Sequence, residues 1–194
     1  MFFGPLFAAG LLAAVSANSP ASVAPSRPTA SPVASVSAAA PAPRPVSGDT
    51  APDFVYQSHE ELWQSLHNML EQGSVLLVFG AGDEQLRSLE QERDELVRQG
   101  ILPVAVIERR DADVWSTVRR LNLTYSLLSD PKASIAEQYG VLDPAAHRAH
   151  AAWFVINRSG RISGAGESVS GSGEWTHLAL QALGQSDIKA AGAR

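Results

Sequence analysis

The chain has 194 residues, 45% of them hydrophobic and 18% charged, with a formal net charge of −5, a balance that suits one ordinary domain with a further segment attached. The charge is mild and spread along the chain without Lys/Arg clusters, which excludes the electrostatic footprint of a nucleic-acid-binding surface, so no nucleic-acid partner is expected. Cysteine is absent, and this removes disulfides, thiolate metal sites and thiol catalysis together while saying little about compartment.

The first 17 residues, MFFGPLFAAGLLAAVSA, form an apolar run ending in small residues, the pattern of a signal peptide cut after Ala17. Export, to a periplasm or the exterior, is the expectation. The run is shorter than the roughly 20 residues that span a bilayer, and no Lys or Arg precedes it. A start further upstream, an uncleaved segment, or a disordered apolar N-terminus in a cytosolic protein are the alternatives, and contact with a membrane is expected only through an uncleaved N-terminus. Residues 18–48 are almost wholly Ala, Pro, Ser and Val, with Arg27 and Arg44 as their charges. No core forms from this composition, and the repeated prolines predict an extended tether.

At Gly48 the composition changes, and 49–186 read as one folded domain followed by a tail at 187–194. HEELWQSLHNMLEQG predicts an amphipathic helix with Leu62, Leu66, Met69 and Leu70 on one face, a cap at Ser58 and an end at Gly73. SVLLVF is a continuous apolar run, the mark of a strand buried on both faces. DEQLRSLEQERDELVRQG repeats Leu86, Leu89, Leu96 and Val97 at helical spacing and stops at Gly100. ILPVAVIE is a second buried strand, DADVWSTVRRLNL a shorter helix, YSLLSD a short extended segment, and PKASIAEQYG a helix with Pro131 at its start. AAWFVIN, RSG and RISGAG predict a hairpin turning at Asn157–Gly160, and GEWTHLALQAL a closing helix. The order implies an α/β sandwich with a mixed central sheet.

The turn between SVLLVF and the next helix draws attention, because backbone N–H groups and the positive helix end stabilise an anion there. It holds Gly80, Ala81, Gly82, Asp83 and Glu84, with no Cys, Ser, Thr, Lys or His. Asp83 stands where it could cap the helix, and adjacent carboxylates at a helix start are more often capping groups than an acid–base pair.

Five strings, GDTAPDF (48–54), VLLVF, DELVRQGILPVAVI (94–107), YSLLSDPKASIAEQYGV (125–141) and FVINRSGRI (154–162), resemble in order the peroxiredoxins of the alkyl hydroperoxide reductase and thiol-specific antioxidant group. The resemblance covers nearly the whole domain and implies a thioredoxin-like fold. In that family the loop after the first buried strand carries a Pro, a Thr or Ser and the peroxidatic Cys at the start of the following helix, whose positive end and a nearby Arg keep the thiol as thiolate. Between Phe79 and Leu86 this chain has only GAGDEQ, shorter than the family loop, so the active-site segment is missing and not merely substituted. The family Arg, or the cis-Pro of thioredoxins, precedes the hairpin strand. Counting back from FVIN places Ala151 there, with Arg148 three residues earlier.

His147 and His150 in HRAH are the nearest thing to metal ligands, but two imidazoles without a Cys or carboxylate motif read as solvated loop residues, and neither metal nor cofactor is expected. ERRDADVW reads as a solvated mixed-charge loop. Trp63, Trp115, Trp153 and Trp175 suit core or half-buried packing. The Gly/Ser-rich GAGESVSGSGE (164–174) lacks a phosphate-loop Lys, and NLT (122–124) and NRS (157–159) match the glycosylation acceptor pattern. Two functions follow: a cysteine-less domain that keeps the scaffold to bind a protein partner, or an antioxidant oxidoreductase working through a non-cysteine site such as His147 and His150 with a metal.

Overall fold

The computed structural model describes residues 43–57, 63–167 and 174–191. A small antiparallel ribbon comes first, β1 (Val55–Gln57) against β2 (Trp63–Ser65), with Val55 opposite Ser65. Then follow α1 (Leu66–Gln72), β3 (Ser74–Phe79), α2 (Asp83–Arg98), β4 (Ile101–Ile107), α3 (Asp111–Leu121) and β5 (Ser126–Ser129). After α4 (Ser134–Gln138) come a two-residue hairpin, β6 (Leu142–Asp143) and β7 (Arg148–Ala149), and then β8 (Ala152–Ile156), β9 (Ile162–Glu167) and α5 (Trp175–Ala191).

The central sheet has the order β5-β4-β3-β8-β9. The apolar runs of β3 and β4 take its interior and pair in parallel, Phe79 opposite Val106, as strands covered on both faces must. β8 runs antiparallel to β3 with Phe79 opposite Ala152, so the ends of β3 and β4 and the start of β8 share one edge of the sheet. Alternation along β3 sends Val75, Leu77 and Phe79 into one core with Met69, Tyr139 and Phe154, and Leu76 and Val78 into the other with Leu86, Leu89 and Trp175. In the first core the rings of Phe79, Tyr139 and Phe154 lie within 5.9 Å of one another, centroid to centroid. The Tyr139 hydroxyl, its pKa pushed up by burial, donates to Pro52 O at 2.9 Å.

In the second core the Glu92 carboxylate receives the N–H groups of Trp175 and Thr176 at 3.3 and 2.9 Å. These are first-turn donors that have no partner inside their own helix, and this contact starts α5. α5 then packs against β9 at Gly164, where an added Cβ would stand 2.6 Å from that of Ala182. Of the four tryptophans, Trp175 is buried, Trp153 half-buried and Trp115 36% exposed, while the side chain of Trp63 lies outside the described residues.

Several predicted boundaries move. The first helix begins at Leu66, capped by Ser65, whose Oγ accepts from Asn68 N at 3.2 Å. Trp63–Ser65, predicted as helix, pair with β1, and Leu66 N donates to Phe54 O. Leu66, Met69 and Leu70 are buried as the periodicity requires; the expected cap Ser58, and Leu62, fall outside the described residues. Pro131 does not open α4. It sits in a turn, because the buried Asp130 carboxylate accepts from Ser134 N, Ile135 N and Ala136 N at 2.8, 2.8 and 3.1 Å and so fixes the helix start at Ser134. The helix α5 runs on past 186 to Ala191. At the other end, Arg44, Ser47 and Gly48, read as tether, bond to β9. The predicted cleavage site and most of the tether lie outside the described residues.

Candidate functional site

The β3–α2 turn is the place where this arrangement would carry chemistry, and three residues, Gly80, Ala81 and Gly82, make the whole connection. Gly80 takes φ +61, a left-handed value that β-carbon-bearing residues avoid. A Cβ there would also stand 2.7 Å from Ala149 O and 2.8 Å from Ala151 N. The turn is therefore pressed against the backbone of 149–151, with no room for a side chain between them.

Gly82 is the N-cap of α2, and its N–H donates to Gln85 Oε1 at 2.8 Å. Asp83 is thus the first helical residue and does not cap, contrary to the sequence expectation. Its carboxylate turns sideways instead and accepts two bonds from Arg120 in the last turn of α3, the one from Nη2 at 3.1 Å. That guanidinium, helped by the more distant Arg87 and Arg109, holds Asp83 below the usual carboxylate range, and Arg120 is raised in turn. Glu84 is exposed in the same first turn. The positive end of α2 accordingly faces two carboxylates, one of them tied down.

Ala151, the position expected for the family Arg or cis-Pro, is brought directly against Gly80. Arg148 is exposed on β7 and makes none of the contacts that organise the turn. His147 occupies the β6–β7 turn at φ +49, His150 follows β7, and both are exposed. Among the described residues no three His, Cys, Asp or Glu side chains gather as metal ligands would.

One group at this edge departs from the sequence reading, which put it in a solvated loop: Glu108, the residue after β4. Its Oε1 is buried and has no hydrogen-bond donor among the described residues. The only signal was a carboxylate ending an apolar run, which is also how an ordinary strand ends. Asn122 and Asn157, in the two glycosylation patterns, have structural tasks: Asn122 closes α3 in the left-handed conformation, and Asn157 Oδ1 accepts from Ser159 N at 3.1 Å and Arg161 N at 3.0 Å within the hairpin turn. No described helix is long and apolar enough to cross a membrane.

Residues 47–165 match the AhpC/TSA family. Alkyl hydroperoxide reductase E of Mycobacterium bovis and of Mycobacterium tuberculosis are each 30% identical over 125 residues, covering 59% of this chain and 80% of theirs. Among solved structures, peroxidoxin BcpB from M. tuberculosis superposes with a TM-score of 0.62 at 19% identity over 74% of this chain and 97% of its own. Enterococcus faecalis AhpC gives 0.59 at 20% identity over 78% and 97%. The fold is thioredoxin-like.

Proposed function

This chain belongs to the AhpC/TSA family, and from that premise we propose that it is an exported, non-catalytic member whose domain serves as a binding module. The observation that carries the proposal is the β3–α2 turn. A peroxidase of this kind needs a thiolate at the start of α2 to attack the O–O bond and end as a sulfenic acid. The chain has no cysteine, and the turn where one would stand is closed by the contact of Gly80 with 149–151 and by the Asp83–Arg120 pair. Methionine supplies the only sulfur, and Met69 is a buried packing group. Export rests on the apolar N-terminal run and the Ala/Pro/Ser-rich stretch after it.

The test is turnover of hydrogen peroxide and of an alkyl hydroperoxide by the full chain with thioredoxin or dithiothreitol. The expected rate equals that of a protein-free control. Turnover by metal-free protein would overturn the non-catalytic reading. Turnover that appears only with added metal, and vanishes in a His147→Ala/His150→Ala variant, would overturn it in favour of a histidine–metal oxidoreductase.

A further inference from the structure

Gly164 and Gly166 stand two apart on β9 and so share one face of the sheet. It is the face that α5 covers, since Gly164 meets Ala182. Gly166 is opposite Trp153 of β8, and a Cβ on it would stand 2.5 to 2.8 Å from three atoms of the indole. The ring of Trp153 therefore rests on the Gly166 backbone, a place that a side chain would deny it. Its Nε1 donates to Glu167 O at 3.1 Å, which fixes the ring in its plane. With one face set against the strand, the half-buried ring gives its other face and rim to a cavity of about 580 Å³ between β9 and α5, within the range of about 300–1,000 Å³ usual for small-molecule sites. The facing wall is Glu174, His177, Leu178 and Gln181, spaced as neighbours on one side of a helix. Glu174 is exposed, and its carboxylate has no ion pair or hydrogen bond among the described residues. No Lys or Arg lines the cavity.

We propose that this cavity binds a small organic molecule through a quaternary ammonium group, with Trp153 and Glu174 as the residues that recognise the charge. The negative face of an indole attracts a cation more strongly than any other aromatic side chain does. The Glu174 carboxylate adds attraction of the same sign from the facing wall. An anionic ligand would be repelled by both. A neutral one would gain only the burial of apolar surface against Leu178 and Ala182. A quaternary ammonium group carries no N–H, so it leaves no donor unsatisfied when its methyl groups meet those apolar side chains. The cavity includes no residue of the β3–α2 turn, so the inference goes beyond the non-catalytic reading and is tested separately from it.

The test titrates choline into the full chain at about pH 8, above the range in which histidine ordinarily changes charge, and follows the assigned indole N–H resonance of Trp153. Dimethylbutanol, the uncharged isostere of choline in which carbon replaces the nitrogen, is titrated in parallel. The expected result is a saturable shift with a midpoint of about 1–10 mM for choline. Binding should weaken by about tenfold or more, a difference of about 1.4 kcal/mol, for the neutral isostere, for choline with Glu174→Gln and for choline with Trp153→Leu, the last followed by calorimetry. No saturable shift up to about 100 mM, equal midpoints for choline and its isostere, or undiminished choline binding by Glu174→Gln each overturns the proposal. If Trp153→Leu does not fold, Glu174→Gln, at an exposed position, decides alone. Sedimentation with phosphatidylcholine vesicles identifies the source of the group: pelleting that choline competes away assigns a lipid headgroup, and choline binding without pelleting assigns a free ligand, the ammonium site standing in both cases.

Discussion

Gly80→Ala should destabilise this protein more than its small size suggests. The residue sits at φ +61, where a β-carbon costs about 1–2 kcal/mol. The added methyl would stand 2.7 Å from Ala149 O and 2.8 Å from both Ala151 N and the carbonyl carbon of His150. All three are backbone atoms of the segment leading into β8, so none can rotate aside, and overpacking of this kind costs about 1–3 kcal/mol. Against this stands a gain of about 0.4–1 kcal/mol from the stiffer unfolded chain. The net loss comes to about 2–4 kcal/mol. In urea, with a slope of about 2 kcal/mol per molar for a domain of this size, the unfolding midpoint of the full chain should fall by about 1–2 M. Gly82→Ala is the matched control: Gly82 has φ −79 and only Gln85 Oε1, 3.7 Å away, near an added Cβ, so the change should cost no more than the roughly 1 kcal/mol of replacing a glycine N-cap by alanine. A midpoint for Gly80→Ala within about 0.2 M of the parent, or equal losses in the two variants, would refute the claim that the turn is pressed onto 149–151.

Two further substitutions probe the neighbouring groups. Because Arg120 holds the Asp83 carboxyl below its ordinary value of 3.8, the pair's contribution is fully present above that pH and is lost as pH falls through the lower folded value; Asp83→Asn should therefore flatten the acid limb of a plot of urea midpoint against pH and leave the neutral region's shape unchanged, and superimposable acid limbs would contradict it. Asp130→Ala removes the acceptor of three backbone N–H groups and the Ser134 hydroxyl, for an expected loss of about 2–4 kcal/mol by urea titration, with faster amide exchange at Ser134–Ala136; unchanged exchange there would show that α4 starts without it.

The sheet was legible because its strands announce themselves. VLLVF and ILPVAVI are apolar at every position, which only a strand covered on both faces tolerates, and Asn157–Gly160 supplies the turn of the hairpin. The local errors share one cause, a partner distant in sequence overriding a local pattern. Trp63–Ser65 carry helical spacing yet pair with Val55–Gln57. Pro131 is a good first helical residue, but Asp130 collects the N–H groups of 134–136 and delays the start. Asp83 has the chemistry of a cap and is drawn off by Arg120, 37 residues away. The contacts of Arg44 and Ser47 with β9 were invisible because these residues stand in a composition that forms no core; what holds them is the outer flank of β9, a property of the sheet and not of their own sequence.

The strings that carry the family resemblance are the ones this structure uses to hold itself together. In APDF, Pro52 O receives the buried hydroxyl of Tyr139; in LLSDP, Asp130 starts α4; in FVINRSG, Asn157 Oδ1 organises the hairpin turn. None of these contacts touches the β3–α2 turn, and the register of β3 with β4 and β8 is set by residues 74–79, which end before it. A connection can change length without moving strands whose register is set elsewhere, since connections on the surface bear the chemistry while the elements beneath bear the packing. That independence explains how a chain can match its family from 47 to 165 and still lack the thiol. The resemblance follows the packing, and so membership in the family argues for the fold and leaves function to be argued from the turn itself.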